Sequence, residues 1–279
     1  SLRKKLEDWQ EYAPVPLIVA VDEEGGTVAR LSSLEEFRSE PFDSPRQIYF
    51  DGGLAAIRTS ESEKAQLLKR CGINVNLAPV CDVACTESAL MADRSLYQPP
   101  KTTGKVIAAM VKTMQKNQVG AVLKHFPGYG SIELDTHDGK VTDQRTMSEL
   151  EEYDLLPFVY GIDAGAGAVM MSHLTVISLD ATHPASLSEK AIHKLRKELG
   201  FQGVIMTDDL QMGAITKNYA PEKAAVQAIQ AGNDMIITGW SEDLYYAIYN
   251  AVEENEIPLD QLENSVERII QWKMDLGLL

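Results

Sequence analysis

The chain has 279 residues, 44% of them hydrophobic and 24% charged, which is enough apolar material to bury a core and excludes a disordered polymer. Its 41 acidic and 26 basic side chains leave a formal charge of -15, so nucleic acid and anionic membrane surfaces are not expected partners. No apolar run reaches the length of about 18 residues that spans a bilayer, and a soluble chain is expected.

Residues 1–13, SLRKKLEDWQEYA, read as an amphipathic helix and not as a signal peptide. The apolar run PLIVAVD (16–22) is the first strand, followed by a helical pattern at 61–72 and a second strand at 73–83. Next come a helix at 103–118, the strand GAVLKHF (120–126), a helix at 146–163 and a strand at 167–173. A helix at 186–200, the strand GVIMTDD (203–209), a helix at 221–232 and a strand at 233–239 continue the alternation. Two helical patterns, 241–255 and 259–277, close the chain. Ser188 suits an N-cap, Pro221 a first turn, and Gly200 and Gly232 the stops after helices. The apolar runs are continuous, which marks strands buried on both faces.

Alternating strands and helices call for a parallel sheet, either open and doubly wound or closed as a (β/α) barrel. No GxGxxG follows any strand, which argues against dinucleotide binding. Polar residues collect at the carboxyl ends of the strands: Asp22, Lys124 with His125, His173, and Asp208 with Asp209. In a barrel those ends share one mouth, the usual place for an active site. Cys71, Cys81 and Cys85 form no CxxC pair, so buried free thiols are expected, with neither a disulfide framework nor a zinc site. Free thiols fit a reducing, cytoplasmic setting.

Three segments carry candidate chemistry. Asp208 in VIMTDDLQMGA either presents a carboxylate for attack on an electrophilic carbon or for binding, or closes a turn, as Asp209 beside it does. Asp135 and His137 in DTHDG are close enough to pair, the carboxylate raising the imidazole pKa and fixing its tautomer; the alternative is a solvated loop. In VDEEGGTVARL, Asp22 and Arg30 either bind sugar hydroxyls or pair with each other.

Together, VDEEGGTVARL, GINVNLAPVCDV, DRS, KHFPGYG followed by DTH, VMMSH, PASLSEKAIHKLRKELGFQGVIMTDDLQMGAI and AGNDMIITG resemble glycoside hydrolase family 3. The spacing of KHFPGYG and DTH is similar to the bacterial β-N-acetylglucosaminidase (β-hexosaminidase) branch. The resemblance implies one catalytic domain over 1–279, a (β/α)8 TIM-type barrel of which six strands are recognisable and the first two are lacking. It implies that the native chain begins further upstream, where a leader could also lie.

For the site, the resemblance implies Asp208 as nucleophile and His137 as acid/base, oriented by Asp135. It implies Asp22, Arg30, Arg94, Lys124 and His125 as sugar-binding residues, with His173 lining or supporting the pocket. The implied activity is retaining exo-hydrolysis of a terminal β-linked N-acetylglucosamine from a small glycoside or muropeptide, in peptidoglycan recycling, with no metal or cofactor. A β-glucosidase or a phosphorylase on the same scaffold, a non-catalytic sugar-binding barrel, and a metal hydrolase using His125, Asp135, His137 and Asp208 are the alternatives. Two positions depart from the family pattern: Tyr129 stands where His is usual, and Leu96 where Phe is usual.

Overall fold

Strands buried on both faces need apolar side chains on both, and the six runs supply them. In the computed structural model, which describes residues 1–130 and 132–279, they form β1 (Ala20–Val21), β2 (Val75–Asn76), β3 (Gly120–Phe126), β4 (Ala168–Met171), β5 (Val204–Asp209) and β6 (Met235–Ile237). Each neighbouring pair is parallel, and spatial order equals sequence order from β1 to β6. The result is a curled six-stranded parallel sheet, a half-barrel whose edges among the described residues are β1 and β6. Most strands are shorter than their apolar runs. The run at 73–83 stops pairing regularly after Asn76 because Pro79 has no N–H to give the ladder, and contact resumes at a single bridge between Val80 and Lys124.

The helices follow the sequence pattern with informative differences. Leu2–Tyr12 is α1, and α2 runs from Pro45 to Cys71, beginning well before the expected residue 61. Its start is capped by Ser44, whose side chain accepts from the Gln47 N–H, and a break at Gly53 (φ 60°) gives the segment the look of a turn. α3 is Pro100–Lys116. The expected helix at 146–163 divides into α4 (Met147–Glu152) and α5 (Leu155–Asp163). Pro157 accounts for the division, since its ring would clash with the carbonyl of Tyr153 in a continuous helix. α6 (Glu189–His193) opens at the expected Ser188 cap and widens into a π-type turn over Lys194–Glu198. A short α7 (Gly213–Thr216) was not legible in the pattern; α8 (Pro221–Ala231), α9 (Ser241–Glu253) and α10 (Leu259–Asp275) were. Cys71 and Cys81 are buried thiols as expected, whereas Cys85 is exposed on the loop after β2. Among the described residues, no helix is long and apolar enough to cross a membrane.

Alternation along the strands divides the core. Ala121, Leu123, Val169, Met171 and Ile205 join the large cluster formed with α2, α3 and α5. Val122, Ala168, Met170, Val204 and Met206 face the other way and pack with Trp272 and Leu276 from α10 and the residue following it. The indole reaches the start of β4 because position 167 is glycine: a Cβ there would lie 2.1 Å from Trp272 Nε1. Trp272 thus closes the amino ends of the strands and leaves the carboxyl ends for polar groups. Trp272→Ala should lower unfolding free energy by about 3–5 kcal/mol in denaturant titration, the usual cost of deleting a large buried aromatic; a loss under 1 kcal/mol would show that α10 is not an integral part of the core.

Candidate active site

At the end of β3 the register with β4 slips between Leu123 and Phe126. Strict alternation is lost there, and both Lys124 and His125 serve the mouth of the sheet. Lys124 Nζ donates to Asp22 Oδ1 at 2.6 Å and lies 2.6 Å from Glu24 Oε1. Glu24 also accepts a fork from Arg94, with Nη2 at 2.7 Å and Nε at 3.0 Å. Burial alone would raise the Glu24 pKa, but Lys124 and Arg94 reverse that and hold it at about 2. Arg94 Nη2 approaches His125 Nε2 at 3.5 Å, while His125 Nδ1 sits 2.8 Å from Asp82 Oδ2. A guanidinium only donates, so Nε2 is the acceptor and Nδ1–H donates to Asp82. The other Asp82 oxygen accepts the Tyr129 N–H at 2.8 Å.

Asp208 is the penultimate residue of β5, half-buried, with Oδ1 accepting the Asp209 N–H at 2.8 Å. Burial pushes its pKa up, yet that N–H and the charge of Lys124 are among the influences that bring it below the ordinary carboxylate value. It is therefore ionised at neutral pH. Asp209 is the turn carboxylate anticipated for it, its Oδ1 accepting from Gln211 N–H at 2.9 Å. His173 supports this turn from below: Nε2 donates to the Asp209 carbonyl at 2.9 Å and Nδ1 accepts from Ser186 Oγ at 2.7 Å. Burial lowers the His173 pKa, in keeping with a neutral ring whose nitrogens are both occupied.

Asp135 and His137 do pair. Asp135 Oδ1 is 2.7 Å from His137 Nδ1 and accepts the His137 backbone N–H at 2.8 Å. Burial would raise the Asp135 pKa, but these bonds and the field of Arg94 leave it lowered. The His137 side chain is 69% exposed, so its far nitrogen faces solvent at the mouth. Its backbone is fixed by the start of α7: Gly213 N–H donates to His137 O at 3.1 Å and Ala214 N–H to Thr136 O at 2.9 Å. Gly213 is needed for that approach, since a Cβ would fall 2.4 Å from the same carbonyl oxygen. Because α7 directly follows the turn at Asp208 and Asp209, one short segment connects the strand-end carboxylate to the Asp135–His137 loop.

Of the anticipated site residues, Asp22, Arg94, Lys124 and His125 form one network by direct contact, Asp208 lies in its field, and Asp135 and His137 form the adjoining pair. Arg30 is exposed, and among the described residues its side chain makes no ion pair; Asp22 pairs with Lys124 instead. The backbone around Arg30 is held by buried Glu23, whose carboxylate accepts N–H bonds from Arg30 (3.0 Å) and Leu31 (2.7 Å). Sequence reasoning passed over Glu23, Glu24 and Asp82. Asp82 carried the same signal as its neighbours, a carboxylate closing an apolar run, and Glu24 lay two residues past a strand end. The metal reading lacks its geometry: among the described residues no three His, Cys, Asp or Glu side chains are grouped to hold an ion.

The model of the glycosyl hydrolase family 3 N terminal domain matches residues 2–272. The chain belongs to glycoside hydrolase family 3. Among its relatives, the β-hexosaminidase of Nitrosomonas eutropha is 37% identical over 227 residues, covering 80% of this chain and 64% of that protein. The β-hexosaminidase LpqI of Mycobacterium tuberculosis is 31% identical over 93% of this chain and 69% of its own length. The chain therefore spans about two thirds of these relatives. A family 3 β-N-acetylglucosaminidase from Paenibacillus superposes with a TM-score of 0.94 over 99% of this chain and 54% of that one, at 28% identity.

Glu24 makes a pH prediction. Its folded pKa of about 2 lies below the ordinary 4.5, so its contribution is present above pH 4.5 and is lost as pH falls through about 2. The shift corresponds to roughly 3 kcal/mol at neutral pH. Glu24→Gln should lower the urea midpoint at pH 7 and flatten the acid limb of the stability profile between those two values; an unchanged limb would contradict the assignment.

Proposed function

We propose that this family 3 chain is the catalytic part of a retaining exo-β-N-acetylglucosaminidase that releases terminal β-linked N-acetylglucosamine from small glycosides, muropeptides of peptidoglycan recycling among them. The Asp135–His137 pair, hydrogen-bonded through its backbone to the turn that follows Asp208, is the observation that carries this reading. The three free thiols support a reducing, cytoplasmic setting.

Asp208, ionised, attacks the anomeric carbon from one face of the pyranose. His137 delivers a proton from Nε2 to the departing glycosidic oxygen, and Asp135 stabilises the ring through Nδ1 while it is charged. The glycosyl ester on Asp208 is then cleaved by water, whose proton passes to the now neutral Nε2, returning both groups to their starting states. The carboxylates Asp22, Glu24, Asp82 and Asp208 outnumber the cations Lys124 and Arg94 around this point, which favours an oxocarbenium-like transition state over the neutral substrate. Lys124, Arg94, Asp22 and His125 present donors and acceptors for the sugar hydroxyls, and Arg30 extends that set from the rim. The exposure of His137 fits an acid whose side chain swings to the bond on substrate binding while its backbone stays anchored.

A slow fluorinated N-acetylglucosaminide should label the protein with one sugar mass, and peptide mapping should place it on Asp208. Asp208→Asn should abolish labelling and turnover while retaining sugar binding, and labelling elsewhere would refute the nucleophile. Asp135→Asn and His137→Ala should each lower kcat on poor leaving groups by about 10²-fold or more. Turnover unaffected by a strong chelator is expected, and a sugar 1-phosphate formed on adding inorganic phosphate would replace hydrolysis with phosphorolysis.

A further inference from the structure

Tyr129 is buried, yet its ring reaches both halves of the site. Its backbone N–H is held by Asp82, the same carboxylate that holds His125, and its ring meets His125 edge-on at 5.7 Å and 82°. Val80 and Met91 pack its sides, leaving little rotational freedom. At its tip the hydroxyl bonds to Thr136 Oγ1, and Thr136 is fully buried between Asp135 and His137 in sequence. The Thr136 carbonyl accepts the Ala214 N–H, so this one residue is gripped from both sides. The phenol is further pushed well above its ordinary pKa, by burial first and then by Asp208, Asp82 and Asp135.

We propose that Tyr129 is a positioning residue for acid/base catalysis: through its hydroxyl on Thr136 it ties the Asp135–His137 loop to the sugar-binding network of Asp82 and His125. Occupation of that network by a sugar is thereby transmitted to the loop that must protonate the leaving group. The tether rests on the hexosaminidase reading for its chemistry, but its mechanical part is independent of it. A loop anchored at Thr136 keeps its two flanking side chains adjustable while its backbone stays within reach of the bond. Without the anchor, the residues from Asp135 to Asp138 would be held to the rest of the described chain by the two backbone bonds to α7 and the Lys217 bond to Asp138 O (2.5 Å), with Leu90 N–H on Ile132 O and Ser88 on Glu133 holding only the start of the loop.

Tyr129→Phe deletes one hydroxyl and retains the packed ring. With an aryl N-acetylglucosaminide of poor leaving ability, kcat/KM should fall about tenfold or more, the scale of a misplaced catalytic group. With a dinitrophenyl leaving group, which departs without protonation, kcat/KM should change less than twofold. Thr136→Val should copy this pattern, Thr136→Ser should restore most of the wild-type values, and the Tyr129→Phe/Thr136→Val double variant should be no worse than either single one. Independently of turnover, amide hydrogen exchange across residues 132–140 should accelerate in Tyr129→Phe and not in Thr136→Ser. Equal losses on both substrates, or unchanged exchange and unchanged leaving-group dependence, would overturn the tether in an enzyme that is otherwise active. Absence of turnover by the wild type on either aryl substrate would remove the hexosaminidase reading and the catalytic role of Tyr129 with it.

Discussion

The arrangement depends on one buried charge, the Glu24 carboxylate held between Lys124 and Arg94. Removing a carboxylate from water is expensive, and two cations with well-directed donors are what make it tolerable. The same bonds fix the direction of both cations. Lys124 is thereby delivered to Asp22 and Arg94 to the edge of His125. Further out, His125 and Tyr129 are held by Asp82, and the loop of Asp135 and His137 by Tyr129 and the first amides of α7.

Much of this could be read from the chain because parallel strands leave a plain record. Continuous apolar runs such as 120–126 and 203–209 became β3 and β5 with bounds within a residue, and the polar residues ending them came to one mouth. Where the record failed, a local rule was overridden. Gly52 and Gly53 disguised the first half of α2, and Pro157 divided a pattern whose apolar spacing continued across it. The ribbons Glu23–Gly25 with Val28–Ala29, and Thr142–Asp143 with Thr175–Val176, are too short to show a period of two.

The site was legible in kind more than in wiring. Residue type and strand-end position identified Asp22, Lys124, His125 and Asp208, and proximity in sequence identified Asp135 with His137. The contacts that orient them cross long stretches of chain, such as Glu24 with Arg94 and Asp82 with His125, and no local pattern encodes them. Arg30 shows the converse: its spacing from Asp22 allowed a pair that the structure does not make, because Lys124 is nearer and Glu23 holds the intervening backbone.

Trp272 occupies the amino ends of the strands while Asp22, Lys124, His125 and Asp208 lie toward the carboxyl ends. Apolar packing at one end and buried ion pairing at the other thus both hold the sheet. A change at Trp272 therefore disturbs packing alone, whereas a change at Glu24 disturbs the anchoring of Lys124 and Arg94 and the stability of the fold together.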